Sequence, residues 1–405
     1  MNREAILKHF EELKAKGIKI DATRGKPSQD QLDLSLAMLD VLNSKSCFFY
    51  DNLDARNYGG LDGLDCAKEL IADVLDVKKE NVIVCGNSAL NIMYDMISKS
   101  VNFGVMDYGK WSNQHVKWLC IVPGYDRHFA ITERFGFELL SVPMNEDGPD
   151  MDVVEELIKD PEVKGIWCVP KFSNPDGVCY SDEVVTRFAK LKPAAKDFRV
   201  YWDNAYVVHD FDLDNPVKLL NIFDVAKEYG SEDMFYEFMS FSKVSFAGDG
   251  IAAVVASKAN VEDIKKSMFY QTIGYDKINQ LRHVLYFKNK AGVIETMRKH
   301  SEIIRPKFDF IHNYFTKEIS DICSWVKPNG GYFICLKVNK CAKEVIAKCA
   351  ECGVQLTAAG CSSPYHNDID NQFIRIAPST LRMCDLETFA DVVCTAVKIE
   401  STRGA

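Results

Sequence analysis

Lys243 stands in FMSFSKVSFAGDG (residues 238–250), behind the alternating serines Ser240 and Ser242 and ahead of Gly248 and Gly250. A primary amine in a partly desolvated pocket can form an imine with an aldehyde, and neighbouring hydroxyls can hold a phosphate on the same molecule. Gly86, Asn87 and Ser88 read as a turn that opens a helix, so their amides and the helix dipole offer a second anion seat. Asp203 ends the apolar run of VYWDNAY, with Tyr206 three residues on; Asn174 lies in SNPDG and Tyr125 in VPGYDRH. Arg375 sits inside the apolar run QFIRIAPS with no acid beside it in sequence. A guanidinium buried there needs a carboxylate, and a bidentate pair with a substrate carboxylate would provide one.

Such a set suits pyridoxal 5′-phosphate. The imine would form at Lys243, with Ser240, Ser242 and the turn at Gly86–Asn87–Ser88 around the phosphate. Asp203 beside the pyridine nitrogen would keep that nitrogen protonated, which makes the ring an electron sink. Tyr206 and Asn174 would each donate to the phenolate oxygen, and the ring of Tyr125 would stack on the cofactor face. Taken singly, each residue has an ordinary alternative. A lysine can follow a strand at the surface, an aspartate can cap a helix, a tyrosine can pack, and an arginine can pair with a carboxylate from elsewhere in the fold.

The elements needed to position these groups are legible as apolar runs followed by breaks. Val82–Cys85, Leu119–Val122, Ile166–Val169, Val200–Trp202 and the run before Lys243 read as strands, alternating with helical periods. Continuous apolar strands between helices predict an α/β chain with a mostly parallel central sheet covered on both faces, in which ligands bind at the strand C-termini. The polar candidates all follow strands. Beyond about Gln280, charged helical segments lead to GGYFICLKV and NQFIRIAPS, strands of a smaller α+β unit. The expected division is 1–45 as an N-terminal segment of the small domain, 46–285 as the large cofactor domain and 286–405 as the C-terminal small domain.

With 405 residues, 47% hydrophobic and 26% charged, the chain is an ordinary globular protein. A formal charge of −9 argues against a nucleic-acid partner, which asks for a basic face. No run has the length of a membrane span or the apolar core of a signal peptide, so a soluble, cytoplasmic protein is expected. The 14 cysteines are scattered singly among apolar neighbours, as buried reduced thiols would be. One CxxC, Cys349 to Cys352, lacks a second ligand pair, and Gly353 after it reads as a helix cap; no metal is expected. His209 and His283 lie among apolar residues and read as packing side chains.

In order along the chain, G-N-S-A-L, P-G-Y, S-N-P-D-G, W-D-N-A-Y, S-x-S-K and I-R-I-A-P resemble the fold type I pyridoxal-phosphate aminotransferases. RGKPSQDQLDLS, RNYGGLDGL, VPGYDRHF and GYDKINQLRH are similar to the MocR-related branch, in particular the bacterial aspartate aminotransferases of subgroup Ic. The resemblance implies that Lys243 is the imine-forming lysine and moves the substrate proton, with Asp203 on the pyridine nitrogen and Tyr206 and Asn174 on the phenolate. It implies that Gly86, Asn87, Ser88, Ser240 and Ser242 hold the phosphate, and that Tyr125 lies against the cofactor. Tyr58 would reach the phosphate of a neighbouring subunit, which makes the working unit a homodimer with shared sites. Arg375 would take the substrate α-carboxylate, with Gly25 near it; Lys277 and Arg282 are candidates for a second carboxylate. The implied activity is transfer of the amino group between L-aspartate and 2-oxoglutarate in two stages. Transamination of another amino acid or a lyase reaction would use Lys243, Asp203 and Arg375 alike. A transcription-regulator role would need a winged-helix segment before the cofactor domain. Three positions depart from the pattern: Ile251 replaces the arginine usual eight residues after the lysine, Asp176 a threonine, and Asp249 a small residue.

Overall fold

The computed structural model describes residues 3–50 and 52–401; Met1, Asn2, Asp51 and residues 402–405 lie outside it. Its central sheet has eight strands: β1 Val82–Val84, β2 Lys117–Val122, β3 Glu138–Asn145, β4 Gly148–Pro149, β5 Val163–Cys168, β6 Arg199–Asp203, β7 Phe235–Ser240 and β8 Ala252–Ala256. Their order is β1-β8-β7-β6-β5-β2-β3-β4. The pairs from β7 through β6, β5 and β2 to β3 are parallel. The remaining pairs, β1–β8, β8–β7 and β3–β4, are antiparallel. The sheet is therefore mixed, with a parallel centre and antiparallel margins.

The continuous apolar runs arise because both faces of this sheet are covered. Trp118, Trp167, Tyr201 and Phe238 point into one core. Their chain neighbours Leu119, Ile166, Val200 and Trp202 point into another on the opposite face. Each run read as a strand coincides with one. Strand β3 had no such signal, and its sequence explains why. It alternates buried with exposed residues near the sheet margin, and Pro143 interrupts it.

A second layer comes from both ends of the chain. Strand Ile334–Lys337 pairs antiparallel with Phe373–Ile376, which puts Cys335 opposite Arg375. Near the N-terminus, Ile20–Asp21 pairs in parallel with Val354–Gln355. Helix Arg3–Ala15 buries Ile6, Phe10 and Leu13 in the same cluster as Phe389, Val392 and Val393. Cys349 and Cys352 are free, buried thiols at the end of helix Ala342–Glu351. Gly353 follows them at φ +85, where a Cβ would lie 1.8 Å from the Ile18 carbonyl oxygen, so only glycine ends that helix here. Among the described residues no helix is long and apolar enough to cross a membrane.

Candidate active site

Strand β6 ends at Asp203 and β7 at Ser240, and the loops after β2 and β5 carry Tyr125 and Asn174. These loops open on a cavity of about 580 Å³. Lys243, Asp203, Tyr206, Asn174, Tyr125, Arg375 and Gly25 all line it. Gly25 is there because its space is taken: a Cβ would stand 2.5 Å from the Phe333 ring.

Lys243 closes a short 3-10 turn, Phe241–Lys243, directly after β7. Its Nζ lies 5.1 Å from the centre of the Tyr206 ring. Burial holds the ammonium below its ordinary pKa, and the charge of Asp203 works against that shift. A buried amine that sheds its proton readily is a nucleophile and a base. The two glycines that follow differ in purpose. A Cβ on Gly250 would be 2.7 Å from the Ser242 amide nitrogen, so the backbone must pass close to the lysine's turn there. Gly248 has nothing within 4 Å.

Asp203 is buried and half engaged. Its Oδ2 is 2.9 Å from His128 Nε2, while its Oδ1 has no partner. His128 is fixed by stacking on Trp167, with ring centres 4.6 Å apart, and by the edge of Tyr125 at 4.8 Å. Asn174 Oδ1 is likewise buried without a partner. Buried acceptors are normally paired, so these two stand out, and the Asp203 oxygen calls for a donor that the chain itself does not provide. A protonated ring nitrogen fits the first. Burial pushes the Tyr125 phenol up to about 12 and that of Tyr206 well above its ordinary value, so both retain their protons as donors at neutral pH.

The two halves of the anion seat meet. Gly86 adopts φ +56, and Ser88 caps helix Ala89–Phe103 by accepting from the Asn91 amide. Ser242 Oγ donates to the Asn87 carbonyl at 3.1 Å, and Ser240 Oγ lies 3.2 Å from Ser242 Oγ. Asn87 Nδ2 reaches the Gly248 carbonyl at 3.2 Å. An unpartnered carboxylate oxygen, a desolvated amine and a hydroxyl-lined helix start fit the ring nitrogen, aldehyde and phosphate of pyridoxal 5′-phosphate. The three departures are absorbed separately. Ile251 is packed in the core, Asp249 pairs with Arg282, and Asp176 lines a separate cavity of about 440 Å³. There Asp176 Oδ1 accepts from the Val178 amide at 3.1 Å, and burial raises its carboxyl to about 7.

Arg375 has an acid partner from elsewhere in the fold, the alternative that its sequence context left open beside a substrate carboxylate. Its Nη1 is 2.8 Å from Asp126 Oδ1, its Nε donates to Thr357 Oγ1 at 3.3 Å, and the guanidinium lies over Phe333. It still faces the cavity. Lys277 and Arg282 do not line it. Lys277 is buried with its stem against Gly60, and Arg282 is committed to Asp249 and Asn279 on its own helix. Tyr58 is 78% exposed and outside the cavity of its own chain. The sequence reading missed His128 as the partner of Asp203, and missed Arg24, Lys26 and Arg127 on the cavity wall. VPGYDRHF contains two of them, but only the fold brings its Asp-Arg-His run to Asp203 and Arg375.

The family described as aspartate amino-transferase matches residues 2–405. An aspartate aminotransferase of Corynebacterium glutamicum is 44% identical over 99% of this chain and 94% of its own. The crystal structure of an aspartate transaminase from the same organism superposes with a TM-score of 0.96 at 44% identity, covering 98% of this chain and 95% of the other. The fold extends to LysN, an α-aminoadipate aminotransferase of Thermus thermophilus complexed with N-(5′-phosphopyridoxyl)-L-leucine. That structure has a TM-score of 0.74 at 20% identity and covers 96% of this chain and 94% of its own. The chain is an aminotransferase of fold type I and belongs to the aspartate amino-transferase family.

Proposed function

We propose that the protein transfers the amino group between L-aspartate and 2-oxoglutarate with pyridoxal 5′-phosphate as cofactor, as a member of subgroup Ic. The observation that carries this reading is the single cavity in which a desolvated lysine, a half-satisfied aspartate and a buried arginine converge. The name of the relative at 44% identity supports the substrate. The cofactor, when bound, supplies an aldehyde for the amino group and a ring that accepts the electrons of the substrate Cα–H bond. Asp203 Oδ1 would hold the ring nitrogen's proton, while His128 keeps the carboxylate turned toward it. Tyr206 and Asn174 would donate to the phenolate. Arg375 would grip the α-carboxylate, and Lys243 Nζ would take the proton from Cα. The N-terminal segment (1–45) and residues 286–405 would form the small domain over the large one (46–285). All fourteen cysteines being free thiols supports a reducing compartment such as the cytoplasm.

The second carboxylate needs a cation on the cavity wall. Arg127 lines it next to Asp126, the partner of Arg375, and has no ion pair among the described residues. Arg127→Leu is expected to lower kcat/KM for aspartate and glutamate by about 10- to 100-fold, the worth of a charge-assisted pair, and to spare alanine. Steady-state kinetics with the three amino acids check this; an equal loss for all three, or a wild-type enzyme that ignores aspartate, sinks the assignment.

The homodimer is supported by exposed apolar side chains around Tyr58. Tyr270 and Ile273 are largely exposed, and a Cβ on Gly274 would touch the Gly59 carbonyl, so the two loops adjoin. Soluble monomers rarely leave such a patch open. Sedimentation is expected to give twice the chain mass, and Tyr270→Asp with Ile273→Asp to give inactive monomers. A fully active monomer overturns it.

A further inference from the structure

A guanidinium carries five N–H donors in one plane, so the groups that claim its edges decide which edge is left for a ligand. On Arg375, Nη1 meets Asp126 Oδ1 at 2.8 Å and Nε meets Thr357 Oγ1 at 3.3 Å, while Nη2 has no hydrogen-bond partner among the described residues. The direction of the Thr357 contact is settled by the other bond this hydroxyl makes. Thr357 Oγ1 lies 2.8 Å from the Thr23 carbonyl, which can only accept, so the hydroxyl proton points there and a lone pair is left for the Nε–H. Thr23 is itself held. The Ala22 amide beside it donates to the Gln355 carbonyl at 2.9 Å, and the Ala22 carbonyl accepts from the Ala377 amide at 3.1 Å. Asp126 comes from the other side of the cavity, as the first residue of helix Asp126–Arg134. The loop leading into that helix is docked by the Gly124 amide on the Ser362 carbonyl at 2.9 Å. Both partners of Arg375 therefore stand on backbone that is hydrogen-bonded in place.

A bidentate contact with a carboxylate needs two parallel N–H groups on a guanidinium that does not swing. Thr357 occupies Nε and so closes the side-on edge, Nε with Nη2. Asp126 takes one Nη1 proton, which leaves the end of the fork, Nη1 with Nη2. We propose that Thr357 and Asp126 are positioning residues for Arg375, fixing its guanidinium so that this end takes the substrate α-carboxylate. The inference rests on Arg375 being the α-carboxylate grip. An acid beside an arginine can also compete with the substrate for it. The uncharged Thr357 contact, built on a fixed carbonyl, and the Phe333 ring beneath the guanidinium, 5.3 Å from Cζ to its centre, favour a cradle over a competitor. Thr357 also ties the grip to the N-terminal wall, because Arg24, Gly25 and Lys26 on the cavity follow directly after the Thr23 carbonyl that it holds.

The test is the half-saturating concentration of amino acids for the cofactor-loaded enzyme, titrated by absorbance, alongside kcat. Propylamine serves as a ligand with an amino group and no carboxylate. Thr357→Val keeps the shape and removes the acceptor. It is expected to weaken aspartate, glutamate and alanine alike by about 10-fold, with kcat within about threefold and propylamine unchanged. Thr357→Ser restores the hydroxyl and is expected to recover most of the affinity. Asp126→Leu is expected to weaken the three amino acids about 10-fold or more, and Asp126→Asn, which keeps an oxygen for Nη1, by less. The equal loss sets these variants apart from Arg127→Leu, which spares alanine. The two Thr357 variants decide the matter if Asp126→Leu does not fold. The proposal fails if Thr357→Val binds the amino acids as the wild type does, or weakens propylamine as much. It fails also if Asp126→Leu binds them more tightly, which makes the carboxylate a competitor. Arg375→Leu tests the reading beneath: unchanged affinity for all three amino acids there overturns Arg375 as the α-carboxylate grip itself.

Discussion

Lys243→Ala is expected to lower kcat by about 10⁴-fold or more, while the variant folds and still binds pyridoxal 5′-phosphate without forming the protein imine. The size follows from two roles lost together: covalent attachment and proton transfer, the latter alone worth about 10² to 10⁴. Small primary amines added to the buffer are expected to restore part of the rate, because the cavity retains every other group. The pH dependence has a definite sign. Burial lowers the Lys243 pKa below 10.5 and the Asp203 charge opposes that. The half-maximal pH for imine formation should lie below 10.5 in the wild type and lower still in Asp203→Asn. Stopped-flow absorbance across pH reads both. A Lys243→Ala variant that turns over at the wild-type rate would place the chemistry elsewhere.

Much of this site could be read before any coordinates, for a physical reason. In a sheet whose centre is parallel, reactive groups follow strand C-termini, so polar residues after apolar runs are candidates by position alone. Asp203, Asn174, Tyr125 and Lys243 were found that way, and they line one cavity. The helix start at residues 86–88 was legible because it announces itself through Gly86 and Ser88. What was not legible are partnerships between distant segments. His128 reaches Asp203 across 75 residues, and Arg375 reaches Asp126 across 249. Neither leaves a local pattern. Nor does a cation on a helix announce its neighbours: Arg282 pairs with Asp249, and the methylene stem of Lys277 lies near Gly60, so neither lines the cavity of its own chain.

Asp203→Asn separates charge from shape at the half-engaged carboxylate. Asparagine keeps the size and offers an oxygen to either neighbour, but it has no charge with which to hold a proton on a ring nitrogen. Removing one member of a buried charged pair costs about 3–5 kcal/mol, which corresponds to a fall in kcat of about 10² to 10³·⁵. His128→Phe is expected to cost less, about 10-fold. The imidazole only orients Oδ2, and the Trp167 stack would receive another aromatic ring in its place. Single-turnover reaction with aspartate, followed by absorbance, ranks the two. If His128→Phe proves the more damaging, the imidazole and not the free Oδ1 governs the ring, and the reading of Asp203 as the proton-holding group falls. If Asp203→Asn matches the wild type, the electron-sink role belongs to no residue of this cavity. The order expected from the geometry follows from one feature of the fold. Strand β6 delivers a buried carboxylate with one oxygen tied down and the other left for the ligand.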